Sequence, residues 1–275
     1  MDGKYTIAYV LSLPHSGSTL CGSLLGAHSR AFCLGEPWKI RQYARLERQK
    51  DHKTGMGNEC TCGAPTIWDC VFWPKVDAEM KAKSGLGLRD LDTASTDQER
   101  FQRDNKLLFD AVAAVTGATL LVDSSKRRPR LKQLIDSAFA DVKVVHLLRE
   151  PHGQVVSTMK RSGRGPYRHT ARNVIETLSS SWMVRSLPTI STRYEEMAGN
   201  PEAWLRQMMP QFGLEFEENQ LNWAQLERHN ISGNVSRSTK SSAISTDVTW
   251  RERLSPLEKA YIGLVTSPLR LGSGS

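Results

Sequence analysis

Ser12-Leu-Pro-His-Ser-Gly-Ser-Thr-Leu20 (SLPHSGSTL, residues 12–20) lies between an apolar run, Tyr5 to Leu13, and a segment of helical character from about Ser18 to Ala27. An apolar run closed by a Pro/Gly/Ser turn reads as a buried strand, and a strand that turns sharply into a helix begins an α/β unit. Gly17 lets the backbone fold tightly, so the N–H groups from His15 to Leu20 converge on one concavity backed by the helix dipole. Ser16, Ser18 and Thr19 add hydroxyl donors, and His15 adds a side chain that becomes cationic near neutrality. Such a loop suits a phosphate or phosphosulfate. It is not a Walker A loop, because the spaced first Gly and the Gly-Lys-Ser/Thr ending are missing. A P-loop kinase or NTPase is therefore the weaker enzyme reading, and a serine-rich helix cap the plainest alternative.

Further strand–helix units follow. Ala118 to Val122 is a short apolar strand that ends in Asp123-Ser-Ser-Lys126, with Pro129 in the first turn of the next helix and a stripe at Leu131, Leu134, Ile135 and Ala138. Val142 to Leu148 is a third strand ending at Arg149, followed by a helix from about Pro151 to Met159. Thr189 to Arg193 is a fourth, with Asn200-Pro201 as cap and first turn of another helix. A long helix from about Gln98 to Val115 is capped by Ser95…Gln98 or Thr96…Glu99, and Ser255-Pro256-Leu257-Glu258 opens a last helix the same way. The alternation predicts an α/β fold of three layers, α/β/α, around a central parallel sheet, and residues 12–20 would supply it with a P-loop-like loop for a phosphate or phosphosulfate. One domain over residues 1–271 is expected, with a cysteine-containing insertion at about 51–91 and a flexible tail at 272–275.

The chain has 275 residues and a formal net charge of +8. That length supports a sizeable core, and no apolar run approaches the ~18 residues of a membrane helix. The basic balance points to an anionic partner. A nucleic-acid-binding protein, read from Lys126 to Arg130 (KRRPR), is the rival of another class, but that run feeds an apolar helix stripe rather than a tail and no standard nucleic-acid motif appears. Five cysteines, an odd number, argue against a disulfide framework and for a reducing, cytoplasmic compartment.

A second constellation is Arg149-Glu-Pro-His-Gly-Gln-Val-Val-Ser157, where Arg149 offers a cationic fork and Ser157 a hydroxyl for a second phosphate. Together the two stretches resemble the sulfotransferase family, enzymes that use 3′-phosphoadenosine-5′-phosphosulfate (PAPS). Residues 12–20 resemble that family's 5′-phosphosulfate loop, and Arg149 to Ser157 its 3′-phosphate motif at the same spacing. Arg193-Tyr-Glu-Glu-Met197 is similar to the segment whose tyrosine, here Tyr194, contacts adenine. His229 to Arg237 (HNISGNVSR) is similar to the Gly-Asn-x-x-Arg loop of the bacterial branch, which places Asn234 and Arg237 near the 3′-phosphate. The resemblance spans about residues 5 to 265, loosely over 51–117.

It implies sulfuryl transfer from PAPS to a hydroxyl or amine, leaving adenosine 3′,5′-bisphosphate (PAP), by in-line displacement without a catalytic metal. His15 stands where the family often has Lys or Arg, and Lys126 sits where several branches place a cation beside the transferring group, although Lys126 also reads as one of the basic cluster to Arg130. Glu36, in Cys33-Leu-Gly-Glu-Pro-Trp38, resembles the base of protein-tyrosine sulfotransferases and acts so if partial burial raises its pKa; a first-turn helix Glu is the plainer reading. Asp123 is assigned to orienting Lys126 or Ser124. The donor's contacts fall on His15, Ser16, Gly17, Ser18, Thr19, Leu20, Arg149, Ser157, Tyr194, Asn234 and Arg237. The glycine-bearing loop Arg161 to Arg168 reads as a lid or acceptor-side element, and the acceptor as a small molecule; a homo-oligomer stays open. Cys60, Cys62 and Cys70, with His52 as a fourth ligand, have spacing compatible with zinc, a disulfide or free thiols, with zinc not favoured because the spacing is not that of a four-cysteine finger. Trp68, Phe72 and Trp73 are read as core or pocket wall.

Overall fold

The computed structural model describes residues 5–50, 57–163, 165–233, 239–244, 246–267 and 269. The elements run β1 (Thr6–Ser12), α1 (Ser18–Leu25), β2 (Ala31–Gly35), α2 (Ile40–Ala44), α3 (Trp73–Ser84), α4 (Gln98–Thr116), β3 (Leu120–Asp123), α5 (Arg128–Ser137) and β4 (Asp141–Leu148). There follow α6 (Pro151–Ser162), α7 (Pro166–Val184), β5 (Thr189–Arg193), α8 (Tyr194–Gly199), α9 (Pro201–Met208), α10 (Trp250–Arg253) and α11 (Pro256–Val265). The strands form one sheet in the order β2-β3-β1-β4-β5, and every pairing is parallel. A parallel sheet must be covered on both faces, and β1 shows it residue by residue. Ile7, Tyr9 and Leu11 enter one core with α3, α4 and α5, whereas Ala8 and Val10 enter another with α1 and α9. The three-layer expectation holds.

The caps follow the chemistry read from sequence at two sites and depart at one. Asn200 accepts from the Ala203 N–H at 3.0 Å, and Ser255 and Glu258 close a reciprocal capping box. At α4, however, the cap is Asp97, whose carboxylate accepts from the Arg100 N–H at 2.8 Å, rather than Ser95 or Thr96. A carboxylate there also meets the positive end of a long helix dipole. Within the 51–91 stretch, residues 51–56 lie outside the described residues, and Cys60, Ile67, Cys70, Phe72, Trp73, Val76 and Met80 all lie in the core that covers β1. Phe72 and Trp73 are therefore core, as one of the two readings had it. Of the Arg161–Arg168 stretch, Arg161 and Ser162 end α6 and Pro166, Tyr167 and Arg168 begin α7, while Arg164 lies outside the described residues. The 272–275 tail lies outside the described residues.

His146, buried on β4, is held down to about 4 because burial disfavours the imidazolium. A depressed folded-state value means the unfolded chain binds the proton first. Stability is thus full above pH 6.5 and falls as pH drops from 6.5 towards 4, by about 3 kcal/mol for this group. Urea melts across that window should show the loss, and His146→Leu should flatten it; parallel curves for the two proteins would remove His146 as the cause.

Candidate active site

All the chemistry-bearing turns leave the carboxyl ends of parallel strands, where ligands of open α/β sheets bind. Ser12 leads into the 12–20 loop, Gly35 into Glu36, Asp123 into Lys126, Leu148 into Arg149 and Arg193 into Tyr194. β3 pairs with β1 as far as Tyr9↔Asp123, where β3 ends, and the chain beyond it is tied back to β1. There the Tyr9 hydroxyl accepts from the Arg127 N–H at 2.9 Å and donates to the Arg127 carbonyl at 2.8 Å. This anchors a turn in which Lys126 takes φ 65°, a left-handed conformation uncommon without a glycine.

The 12–20 loop is shaped by two residues with positive φ, His15 at 67° and Gly17 at 91°. The His15 conformation is pinned from outside: Arg149 Nη1 donates to its carbonyl at 2.7 Å, and Gln154 donates to the Pro14 carbonyl at 3.0 Å. At Gly17 a Cβ would stand 2.4 Å from Cδ2 of Tyr194. Gly17→Ala is therefore expected to cost about 1–3 kcal/mol, measured by urea melts; an unchanged midpoint would show that the loop is free to relax. The Arg149 guanidinium lies 4.4 Å over the Tyr194 ring, so Gly17, Tyr194 and Arg149 form one stack. The other fork of Arg149, Nη2, pairs with Asp247 at 3.0 Å.

A second cluster centres on Glu36. Its Oε1 accepts from Lys126 Nζ at 2.6 Å, and its Oε2 accepts from Lys39 Nζ and, at 3.1 Å, from the Ser232 hydroxyl. Lys39 also donates to Ser232 Oγ at 2.7 Å, and the Ser232 N–H donates to the Tyr43 hydroxyl at 2.9 Å. Gly35 permits this closeness, because a Cβ there would lie 2.3 Å from the Ile231 carbonyl. The expectation that burial raises the Glu36 pKa is corrected. Burial does push it up, but the Lys126 and Lys39 ammonium groups outweigh it and hold the carboxyl at about 2. Burial in turn lowers Lys39, partly offset by Glu36.

Both clusters line one cavity of about 750 Å³. Its walls include His15, Gly17, Ser18, Thr19, Leu20, Glu36, Lys126, Arg149, Ser157 and Tyr194, ten of the residues singled out from sequence. Ser16 does not reach it; the residue is buried, its N–H donating to the Leu13 carbonyl at 3.3 Å. Asn234 and Arg237 lie outside the described residues, although Gly233 and Thr239 on either side of them reach the cavity. Lys39 and Trp223 also line it, and neither was picked out from sequence. Lys39 lies one helical turn beyond Glu36, a spacing that could have flagged it, and Ser232 falls within the His229–Arg237 stretch singled out above, whereas nothing local marks Trp223 or Asp247.

The basic run 126–130 is redistributed. Arg130 is buried, its Nε 2.8 Å from Asp123 and its other nitrogens on Thr93 and Asn105. Asp123 thus orients neither Lys126 nor the Ser124 hydroxyl, which donates to the Gly35 carbonyl. Arg128 pairs with Glu176 at 2.9 Å and Arg127 lies 4.4 Å over the Trp38 ring, so of these cations Lys126 alone lines the cavity.

The model of the sulfotransferase family matches residues 8–218, most of the chain. The protein belongs to the sulfotransferase family. Its fold is similar to that of a sulfotransferase domain from the curacin biosynthetic pathway, with a TM-score of 0.62 at 20% identity, covering 97% of this chain and 98% of that one. A sulfotransferase domain of the Synechococcus PCC 7002 olefin synthase gives a TM-score of 0.53 at 17% identity, covering 97% of each chain. No curated protein matches the sequence. The chain is thus a sulfotransferase by family, and among the described residues no helix is long and apolar enough to cross a membrane.

Proposed function

We propose that this sulfotransferase takes PAPS as donor and passes its sulfuryl group to a hydroxyl or amine of a small acceptor in the cytoplasm. The observation that carries the reading is the joining, in one cavity, of an anion-binding loop and the Lys126–Glu36–Lys39 cluster. The 5′-phosphosulfate would sit on the N–H groups of residues 15–20, with Ser18 and Thr19 adding hydroxyls. The 3′-phosphate would take Arg149 and Ser157, replacing Asp247 on the guanidinium fork. Tyr194 and Trp223, whose buried Nε1 has no hydrogen-bond partner, suit the adenine.

Sulfuryl transfer requires an aligned nucleophile, a stabilised leaving phosphate and a proton acceptor. Lys126 and His15 are suited to the leaving oxygens. A carboxylate held at about 2 is a weak base while both lysines grip it. An anionic sulfo group competes for the same ammonium groups, and as they turn to it Glu36 regains its proton affinity. Donor binding therefore arms the base. In-line transfer then breaks the bond from sulfur to the phosphate oxygen, forms the bond from sulfur to the acceptor, and moves the acceptor's proton to Glu36.

The test is PAPS-dependent gain of one sulfo group across a panel of hydroxyl and amine acceptors, read by mass. It is paired with calorimetry of PAP, of duplex DNA and of ATP with magnesium. Tight PAP binding with weak, salt-erased DNA binding is expected. Tight DNA binding without PAP binding, or magnesium-dependent ATP turnover, would overturn the donor assignment.

A further inference from the structure

Beyond the reaction cavity, Cys60, Cys62, Cys70 and His229 bring one ligand atom each to within 4.8 Å of the others. We propose that these four residues bind a structural zinc ion that fastens the chain around His229 to the 57–72 segment. The fourth ligand differs from the one read from sequence: His52 lies outside the described residues, and His229, 159 positions beyond Cys70, stands beside the thiols.

The distances suit the ion. Tetrahedral zinc with sulfur at about 2.3 Å and nitrogen at about 2.0 Å sets edges of about 3.8 Å between sulfurs and about 3.5 Å from sulfur to nitrogen. Here Cys62 and Cys70 sulfurs are 3.7 Å apart, and His229 Nδ1 lies 3.9 Å from Cys60 Sγ and 3.1 Å from Cys70 Sγ. The surroundings are those of a ligand set. Gly63, at φ 95°, closes the Cys60-Thr-Cys62 turn by donating to the Cys60 carbonyl, and the Phe72 N–H donates to Cys70 Sγ at 3.4 Å. The other imidazole nitrogen, Nε2, is 3.3 Å from a Glu227 carboxylate oxygen, the outer contact that orients a metal-bound histidine. Cys60, Cys70 and His229 are buried, whereas Cys62 is exposed and gives the ion a way in. A Cys62–Cys70 disulfide would use only two of the four groups and leave a buried thiol against a buried imidazole.

Four protein ligands close the coordination sphere, the pattern of structural rather than catalytic zinc, and none of the four lines the reaction cavity. Their effect on that cavity is through the backbone. Asn230 N–H donates to Thr61, Trp73 Nε1 donates to the His229 carbonyl, Ile231 bridges Gly35, and Ser232 reaches Glu36 and Lys39. The ion would hold the base of the chain that closes over Glu36.

The experiment measures metal in the full chain purified under reducing conditions without chelator, and it is independent of whether sulfuryl transfer is found. About one zinc per chain is expected. Cobalt(II) added to the chelator-stripped, reduced protein should give the visible bands of a tetrahedral thiolate site and a thiolate charge-transfer band in the near ultraviolet. Cys62→Ser, at an exposed position that leaves the core intact, should release zinc to a chromogenic chelator at least tenfold faster; Cys70→Ser should lose it. Three results would each overturn the proposal: a reduced chain that takes up neither zinc nor cobalt, iron in place of zinc, or wild-type zinc retention in both variants. So would a Cys62–Cys70 disulfide in the freshly purified protein.

Discussion

Glu36→Gln is expected to lower kcat by about 10²–10⁴-fold, the range for removing a general base, while PAP affinity is retained or rises. Glutamine keeps the shape of the side chain and its hydrogen bond with Ser232 but accepts no proton. It also releases Lys126 and Lys39 from the carboxylate they grip, leaving both ammonium groups available to the donor. Single-turnover kinetics with PAPS and a reactive acceptor, alongside a PAP titration, separate the two effects. A kcat within a few-fold of wild type would take Glu36 out of the chemistry. A collapse of PAP binding would instead make it a scaffold for the lysines. The acid behaviour offers a second readout. The folded-state value is depressed from 4.5 to about 2, so the ion cluster stabilises the protein above pH 4.5, and that contribution is lost as pH falls through about 2. Glu36→Gln should abolish that component of acid denaturation.

Arg149→Ala is expected to weaken PAP by about 1.5–3 kcal/mol, the range for a hydrogen bond to a charged group, or roughly 10–150-fold in Kd. Arg149 also pins the His15 carbonyl, pairs with Asp247 and covers Tyr194. Truncation therefore removes the proposed 3′-phosphate contact and also loosens the 12–20 loop. Arg149→Lys distinguishes these contributions: a point charge still attracts phosphate but cannot bridge His15 and the ligand as a planar fork does, so its loss should be intermediate. Calorimetry with PAP is the measurement. Affinity equal to wild type in Arg149→Ala would place the 3′-phosphate elsewhere.

What could be read along the chain was local in origin. The strand–turn–helix at residues 5–27, the Asn200 and Ser255 caps and the strand ending at Arg149 each depend on neighbours within a turn or two, where apolar period, capping hydroxyls and glycine leave a direct mark. Where two local choices competed, as at the start of α4, the carboxylate of Asp97 prevailed over nearby hydroxyls. Strand β2 and helices α3 and α7 escaped because their burial depends on what packs against them rather than on a clean period.

The sequence by itself determined an α/β protein with a tight serine- and glycine-bearing loop after its first strand, and it named most of the residues that line the cavity. Only the tertiary structure decided how those residues are held. The Ser232 hydroxyl meets Glu36 across 196 positions, and Cys70 meets His229 across 159. Parallel pairing carries each strand's carboxyl end to the same edge of the sheet, so residues far apart in the chain share one pocket. Charge and coordination there depend on distance in space, to which local sequence patterns are blind. Arg130 and Lys126 show the consequence: two cations of one basic run, one locked on Asp123 in the core and the other facing the cavity.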